Sequence, residues 1–283
     1  MMRYLFLVIG TTLVSLSHIA AQNVITLYYD KDWKQTFDIS EAAYFRKASQ
    51  TDNNQWAVRD FYISGKLQMT GTYKTRKFET KVGRFIYYYM NGQKSSEGEY
   101  LNDKHEGLWT YWYENGNKSM EGKYKNDMKY DIWTYWYESG KKKSEGPIKN
   151  GQLNGYWVRW YENGSKQAEG LQVDGVNDGV WTFYYESELL KQKEYYKSGY
   201  AVWTEGYYEN GKLELKGQYL SGKSTGEWSY WNVDGILYLK GKYANDLRVG
   251  EWVRYLPNGE KIKLNYVKGE LVGKKYGGIY KNK

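Results

Sequence analysis

The groups in this chain best suited to chemistry are one histidine, His105, and four evenly spaced carboxylates, Glu97, Glu121, Glu145 and Glu169. A zinc site or a nucleophilic triad needs several partners converging on one imidazole. His105, in Asp103-Lys104-His105-Glu106, reads instead as a solvated turn residue. Glycoside hydrolysis takes two carboxyls roughly 5 to 9 Å apart in a cleft, one with a raised pKa. Here the carboxylates recur singly, as rungs of a ladder. None of the many glycines forms a Gly-rich loop opening a helix onto a phosphate. The sequence therefore argues for no catalytic residue, no metal and no cofactor.

Aromatic rings recur beside these carboxylates, at Tyr88, Trp112, Trp136, Trp160, Tyr184, Tyr207, Trp231 and Tyr255. Such a column can dock a protein or stack against a sugar. Trp112, Trp136, Trp160, Tyr184 and Trp231 are accordingly the candidate binding residues, and the first three are expected to be exposed. The plainer alternative is cross-strand packing that stiffens a thin sheet.

The elements that must position these rings follow from a 24-residue period: Trp109, Trp133, Trp157 and Trp181 keep that spacing, a slip of one residue intervenes near Val202, and Trp228 and Trp252 resume it. Copies begin at Gly83, Gly107, Asp131, Gly155, Gly179, Val202, Gly226 and Gly250, preceded by a degenerate copy over Phe61 to Tyr73. A unit this small cannot bury its apolar face alone and must stack on its neighbours. Within one copy, Glu114-Asn115-Gly116 separates Trp109-Thr110-Tyr111-Trp112-Tyr113 from Asn117 to Tyr124. Asn-Gly between such runs signals a hairpin with a type I′ turn, which needs positive φ at both central positions. A second set of turns, among them Asn126-Asp127, Asn150-Gly151 and Asp174-Gly175, joins each hairpin to the next.

The fold expected is all-β: about eight to nine antiparallel hairpins in one elongated, twisted, single-layer sheet about 75 Å long for eight hairpins. Counting from a two-residue Asn115-Gly116 loop sets Tyr113 opposite Lys118, Tyr111 opposite Met120 and Trp109 opposite Gly122, so that an indole lies across a glycine of its own hairpin. The same pairing is expected for Trp133 with Gly146, Trp157 with Gly170 and Trp228 with Gly241. Trp181 and Trp252 belong to copies whose glycine is replaced, at Lys193 and Asn265, and looser packing is expected there. Alternation puts Trp109, Tyr111 and Tyr124 on one face and Thr110, Trp112 and Glu121 on the other.

The segments Gly107-Leu108-Trp109-Thr110-Tyr111-Trp112-Tyr113-Glu114-Asn115-Gly116 and Glu121-Gly122-Lys123-Tyr124-Lys125-Asn126 resemble the MORN repeat in its bacterial variant form, as in the YwqK-type antitoxin-like family. The resemblance implies a MORN-like meander over residues 59–273, a scaffolding or antitoxin-like role, and no catalytic constellation.

Outside the array, residues 1–21 have a positive start, an apolar run from Leu5 to Leu16 and Ala20-Ala21 before Gln22, the pattern of a cleavable secretory signal. Residues 22–58 form an N-terminal segment with a short helix expected over 41–48, capped by Ser40. Residues 274–283 form a basic tail. There is no cysteine, which excludes disulfides and a lipoprotein anchor. The net charge of +8 is scattered rather than clustered, as on solvated faces and protected edges. The function expected is a non-enzymatic, exported interaction scaffold, in the periplasm, on the outer-membrane surface or outside the cell, with another protein as partner. An envelope glycan or an anionic lipid surface is the alternative partner, and nucleic acid is not expected.

Overall fold

The computed structural model describes residues 24–272 and the backbone of 274–276 and 279–281. The secretory segment expected over residues 1–21 lies outside the described residues. Among the described residues, 23 strands form one open sheet, and every pairing is antiparallel. Its centre is a run of eight hairpins. Hairpin 1 joins Lys81–Tyr88 to Lys94–Leu101, hairpin 2 Lys104–Trp112 to Lys118–Lys125, hairpin 3 Met128–Trp136 to Lys142–Lys149, and hairpin 4 Gly155–Trp160 to Lys166–Val173. Hairpin 5 joins Val176–Tyr184 to Leu190–Lys197, hairpin 6 Tyr200–Tyr207 to Leu213–Leu220, hairpin 7 Lys223–Trp231 to Leu237–Ala244, and hairpin 8 Leu247–Tyr255 to Lys261–Val267. Lys274–Tyr276 and Ile279–Lys281, in the expected basic tail, pair as a small separate ribbon.

One face carries the core. Trp109, Trp133, Trp157, Trp181, Trp228 and Trp252 are buried there, with Phe85 in the equivalent place of hairpin 1. Trp109 does stand opposite Gly122 in the ladder, but its ring leans the other way. A Cβ on Gly98, in the preceding hairpin, would sit 2.2 Å from the Trp109 ring, and one on Gly122 would sit 2.2 Å from Trp133. Each indole thus fills a glycine seat in the hairpin before it, which corrects the expected pairing within one hairpin. The cause is a bulge at every seam. Lys123 pairs with Tyr130 and Glu121 with Thr134, so Asp131, Ile132 and Trp133 together face Gly122 alone. The first bulge residue takes positive φ, as in Gly107 (66°), Asp131 (63°) and Gly179 (68°). Glycine does so without strain and Asp tolerates it better than most residues. Each indole N–H then donates to the carbonyl just past the seat, as Trp109 does to Glu99 at 3.1 Å and Trp133 to Lys123 at 3.2 Å.

This arrangement explains the irregular copies. Trp181 stands opposite Glu194 and Trp252 opposite Leu264, not Lys193 and Asn265. Both indoles are nonetheless fully buried, because their seats are Gly170 and Gly241. The expected loosening does not occur. The missing glycine matters one copy later, where Glu194 pairs with Thr204 and buried Thr204 stands where an indole would be. The seam there carries one extra residue, Val202, between Ala201 and Trp203. That shorter bulge is the slip in the period.

The two sets of turns exchange roles. Glu114-Asn115-Gly116 is a three-residue loop: Tyr113 N–H donates to the Asn117 carbonyl at 2.8 Å and Gly116 N–H to the Tyr113 carbonyl at 3.0 Å. Only Gly116, at φ 87°, is left-handed. The type I′ signature, both φ positive, belongs to the connections between hairpins, such as Asn126 (51°) with Asp127 (69°) and Asn150 (51°) with Gly151 (80°).

The helix expected over 41–48 is not formed. A 3-10 turn spans Ile39–Glu41, capped by Asp38 rather than Ser40, and Tyr44–Gln50 is a strand. Arg46 and Ala48 are buried on one side of it, a period of two that the pairing with Ile25–Tyr29 and Trp56–Tyr62 enforces. Arg46 Nε and Nη2 donate to Asp60 Oδ1 and Oδ2, both at 2.7 Å. The guanidinium lies 5.4, 5.2 and 4.9 Å from the ring centres of Tyr29, Tyr73 and Phe78.

Candidate interaction surface

The opposite face is built from the repeat positions that alternate with the core. In a regular strand, residues three apart point to opposite sides. The three-residue loop shifts the register between Tyr111 and Trp112, so Lys118 stands opposite Trp112 rather than Tyr113 as counting suggested. Lys118 and Glu121 thereby share a face, and Lys118 Nζ reaches Glu121 Oε2 at 2.6 Å. The unit repeats at Lys94 and Glu97 (2.5 Å), Lys142 and Glu145 (2.7 Å), and Lys166 and Glu169 (2.9 Å). Thr110 and Thr134 donate to Glu121 and Glu145 from the facing strand, at 2.8 and 2.9 Å.

Each lysine also covers the ring of the next copy. Lys94 lies 5.6 Å over Trp112, Lys118 5.6 Å over Trp136, Lys142 5.7 Å over Trp160 and Lys166 5.6 Å over Tyr184. Trp112, Trp136 and Trp160 are therefore half-buried, not openly exposed as expected. Trp231 keeps its place in the column with Leu237 opposite it instead of a lysine. The strip is shallow: a depression of about 350 Å³ is lined by Arg84, Glu97, Thr110, Trp112, Lys118 and Glu121.

Hydrogen bonding sets the electrostatics. The Lys142 ammonium holds the Glu145 carboxyl below its usual range, and Lys216 does the same for Glu205. At Glu97 and Glu169 burial works the other way but is outweighed, by Lys94 and Arg84 in one case and by Tyr184, Lys166 and Tyr156 in the other. Burial and then the Glu169 carboxylate push the Tyr184 hydroxyl up to about 12. A carboxylate whose pKa is lower folded than unfolded contributes stability that is complete above the unfolded value and is lost as pH falls through the folded one. Melting followed by tryptophan fluorescence is thus expected to be flat from pH 7 to about 5 and to drop below about pH 4. A melting temperature unchanged at pH 3 would remove these pairs from the stability of the array.

Several side chains that sequence reasoning passed over hold the surface in place. Tyr113 Oη donates to the Trp136 carbonyl at 2.8 Å and Asn115 Nδ2 to the Glu138 carbonyl at 2.8 Å, tying each loop to the next. The tie recurs from Tyr89 to Trp112, Tyr137 to Trp160 and Tyr208 to Trp231. Regular spacing of Tyr and Asn at the loops was the signal. On the core face a cation caps the ring stack: Lys129 Nζ lies 3.9 Å over Trp133, and the Arg248 guanidinium 4.5 Å over Trp252. Burial pulls the Lys129 ammonium below its ordinary value. His105 takes the same slot. Its ring lies 4.3 Å from that of Trp109, and Nδ1 meets Asp127 Oδ1 at 2.7 Å. It is a packing residue, not a freely solvated one. Among the described residues no group of three His, Cys, Asp or Glu side chains is placed to hold a metal ion, and no helix is long and apolar enough to cross a membrane.

Comparison with known proteins agrees with the repeat. No curated protein matches the chain. A crystal structure of TcdB2-TccC3 without its hypervariable C-terminal region aligns at 12% identity and a TM-score of 0.21, over 85% of this chain and 16% of that one. The chain thus spans about a sixth of the length of that structure. Residues 106–126, 132–150 and 204–221 match the family model of the MORN repeat variant, segments that fall in hairpins 2, 3 and 6 of a unit repeated eight times.

Proposed function

We infer that this chain is an exported, non-enzymatic scaffold that binds another protein through the lysine, glutamate and aromatic strip of its outer face. The observation that carries this reading is the spacing of that strip: the same three-residue group is presented four times in succession, at Lys94, Lys118, Lys142 and Lys166 with their glutamates and rings. A repeated flat pattern suits an extended protein surface. Sugar stacking needs open ring faces, and here a lysine lies over Trp112, Trp136, Trp160 and Tyr184, which favours a protein partner over an envelope glycan. Neutralising a secreted toxin is a special case of this role. Export to the periplasm, the outer-membrane surface or the medium rests on the secretory pattern of residues 1–21.

The test is capture from an envelope fraction by the full chain and by the Trp112→Ala, Trp136→Ala double variant. The double variant is expected to keep its sheet signal and lose at least tenfold in recovery of a partner that the parent retains. Equal recovery by both would move binding off the strip, and loss of the fold in the variant would make the column structural.

A further inference from the structure

One row of the ladder crosses the outer face from the first strands into the strip. It runs Lys47, Arg59, Thr70, Ile86 and Glu97, each directly opposite the next, and continues through Thr110 to Glu121 and through Thr134 to Glu145. From Glu97 to Glu145 its charges are matched: Lys94 and Arg84 bind Glu97, Lys118 binds Glu121 and Lys142 binds Glu145. The first two charges are not. The strands Ile25–Tyr29, Tyr44–Gln50, Trp56–Tyr62 and Leu67–Tyr73 contain a single carboxylate, Asp60, which is buried on the other face with Arg46. Lys47 and Arg59 are exposed, and neither forms an ion pair among the described residues. Like charges directly opposite each other weaken a sheet, and Glu97 stands three strands from Arg59, about 14 Å away. Stability of the fold gives no reason for this pair.

The two cations line a concavity of about 570 Å³, bounded also by Thr70 and Thr72 and kept open by the small side chain of Ala57. Arg84 lines both this concavity and the depression over Trp112 and Lys118, so the basin opens onto the strip. Its donors are of the kinds that hold carboxylates elsewhere on the face. Glu121 accepts from Lys118 Nζ at 2.6 Å and from Thr110 Oγ1 at 2.8 Å, and Glu145 accepts from Lys142 at 2.7 Å and from Thr134 at 2.9 Å. In the basin an ammonium, a guanidinium and hydroxyls stand together, and the strands that carry them present no acid to this face.

We propose that Lys47 and Arg59 receive an acidic peptide segment, supplied by the protein that lies along the strip. The guanidinium takes one carboxylate on two parallel bonds and the ammonium takes a second. An acidic polysaccharide fits less well: Phe45 and Phe61 stack 4.8 Å apart with Lys47 Nζ 5.9 and 5.7 Å from their ring centres, which closes the faces that a sugar would take. A small dicarboxylate would find little enclosure between two exposed cations, whereas pockets for small ligands bury most of the ligand. The proposal rests on reading the outer face as a protein-binding surface, and states the charge of that protein where it meets the first strands.

Fluorescence anisotropy of a dye-labelled hexaglutamate peptide, titrated with the full chain at about 20 mM salt where screening is weak, tests the assignment. Affinity is expected to fall at least tenfold in the Lys47→Gln, Arg59→Gln double variant with an unchanged melt. The Lys223→Gln, Lys242→Gln double variant, which removes the same charge from hairpin 7, is expected to stay within twofold of the parent. Oligogalacturonate and inorganic phosphate, matched in charge, are expected to displace the peptide at least tenfold less well than unlabelled hexaglutamate. No binding by the parent, an equal loss in the hairpin 7 variant, or equal displacement by either competitor overturns the proposal. If the parent captures an envelope protein through Trp112 and Trp136 but does not bind hexaglutamate, the basin falls and the strip stands. If Lys47 and Arg59 hold hexaglutamate while capture is indifferent to Trp112 and Trp136, the strip falls and the basin stands.

Discussion

Gly122→Ala is expected to remove about 3 to 5 kcal/mol of stability, the cost of evicting a buried tryptophan from its site. The added methyl would stand 2.2 Å from Cδ2 of Trp133, inside any tolerable contact, and the backbone beneath it is held in the ladder by both neighbours. The ring must leave, taking with it the 3.2 Å bond from its N–H to the Lys123 carbonyl. Trp133→Ala alone should cost a similar amount. Adding Gly122→Ala to Trp133→Ala should then cost little, because the occupant of the seat has already gone, and the coupling between the two changes should exceed 2 kcal/mol. Denaturant unfolding of the four proteins measures it. Strictly additive losses would mean that the glycine serves the backbone rather than the indole. Gly116→Ala is a control: its left-handed φ carries a penalty of about 1 kcal/mol, with no ring involved.

Asp60→Ala is expected to cost about 3 to 5 kcal/mol in the strands that precede the hairpin array, because it leaves a guanidinium enclosed without its counter-charge. Asp60 is 1% exposed and holds both ends of the Arg46 fork. Burial alone works against the charge on Arg46, but bonding to Asp60 more than offsets it, so the arginine stays ionised. The paired replacement Arg46→Met with Asp60→Leu should cost less than either single change, since apolar groups of similar size need no partner. Amide exchange over Tyr44–Gln50 and Trp56–Tyr62 locates the effect. If Asp60→Ala leaves exchange there unaltered, the pair does not hold these strands.

Much of the array was legible because its period is set by chemistry that a sequence displays directly. An indole, a glycine and a loop glycine recur at fixed offsets, and alternation then assigns Trp109 and Trp112 to opposite faces. The direction in which Trp109 leans was not legible. It depends on three residues facing one across a seam, a relation between hairpins that counting within a hairpin cannot supply. The seam glycine stands as the first residue of six of the eight copies, and Asp131 takes its left-handed place in another. Asn115 misled because asparagine suits two roles: the left-handed corner of a tight turn, and an amide that bonds Asn117 N–H and the Glu138 carbonyl. The loop uses the second. Over residues 41–48, Glu41-Ala42-Ala43 favours helix locally, but pairing on both sides imposes the strand. Of the outer-face strip, the rings and carboxylates were readable. The lysines were not, because the bulge that turns Lys118 onto their face leaves no mark of its own in the sequence.

Because each seat belongs to one copy and its occupant to the following copy, the fit is defined by a module boundary rather than by a particular pair of modules. Duplicating or deleting one whole 24-residue unit among hairpins 2 to 4 recreates a matching join at the new junction, so array length there is free to drift by unequal recombination. The join between Glu194 and Thr204 has no such freedom: its two sides are matched only to each other, and a crossover there would confront a tryptophan with a glutamate. Growth of the array is thus permitted on either side of that point and resisted across it.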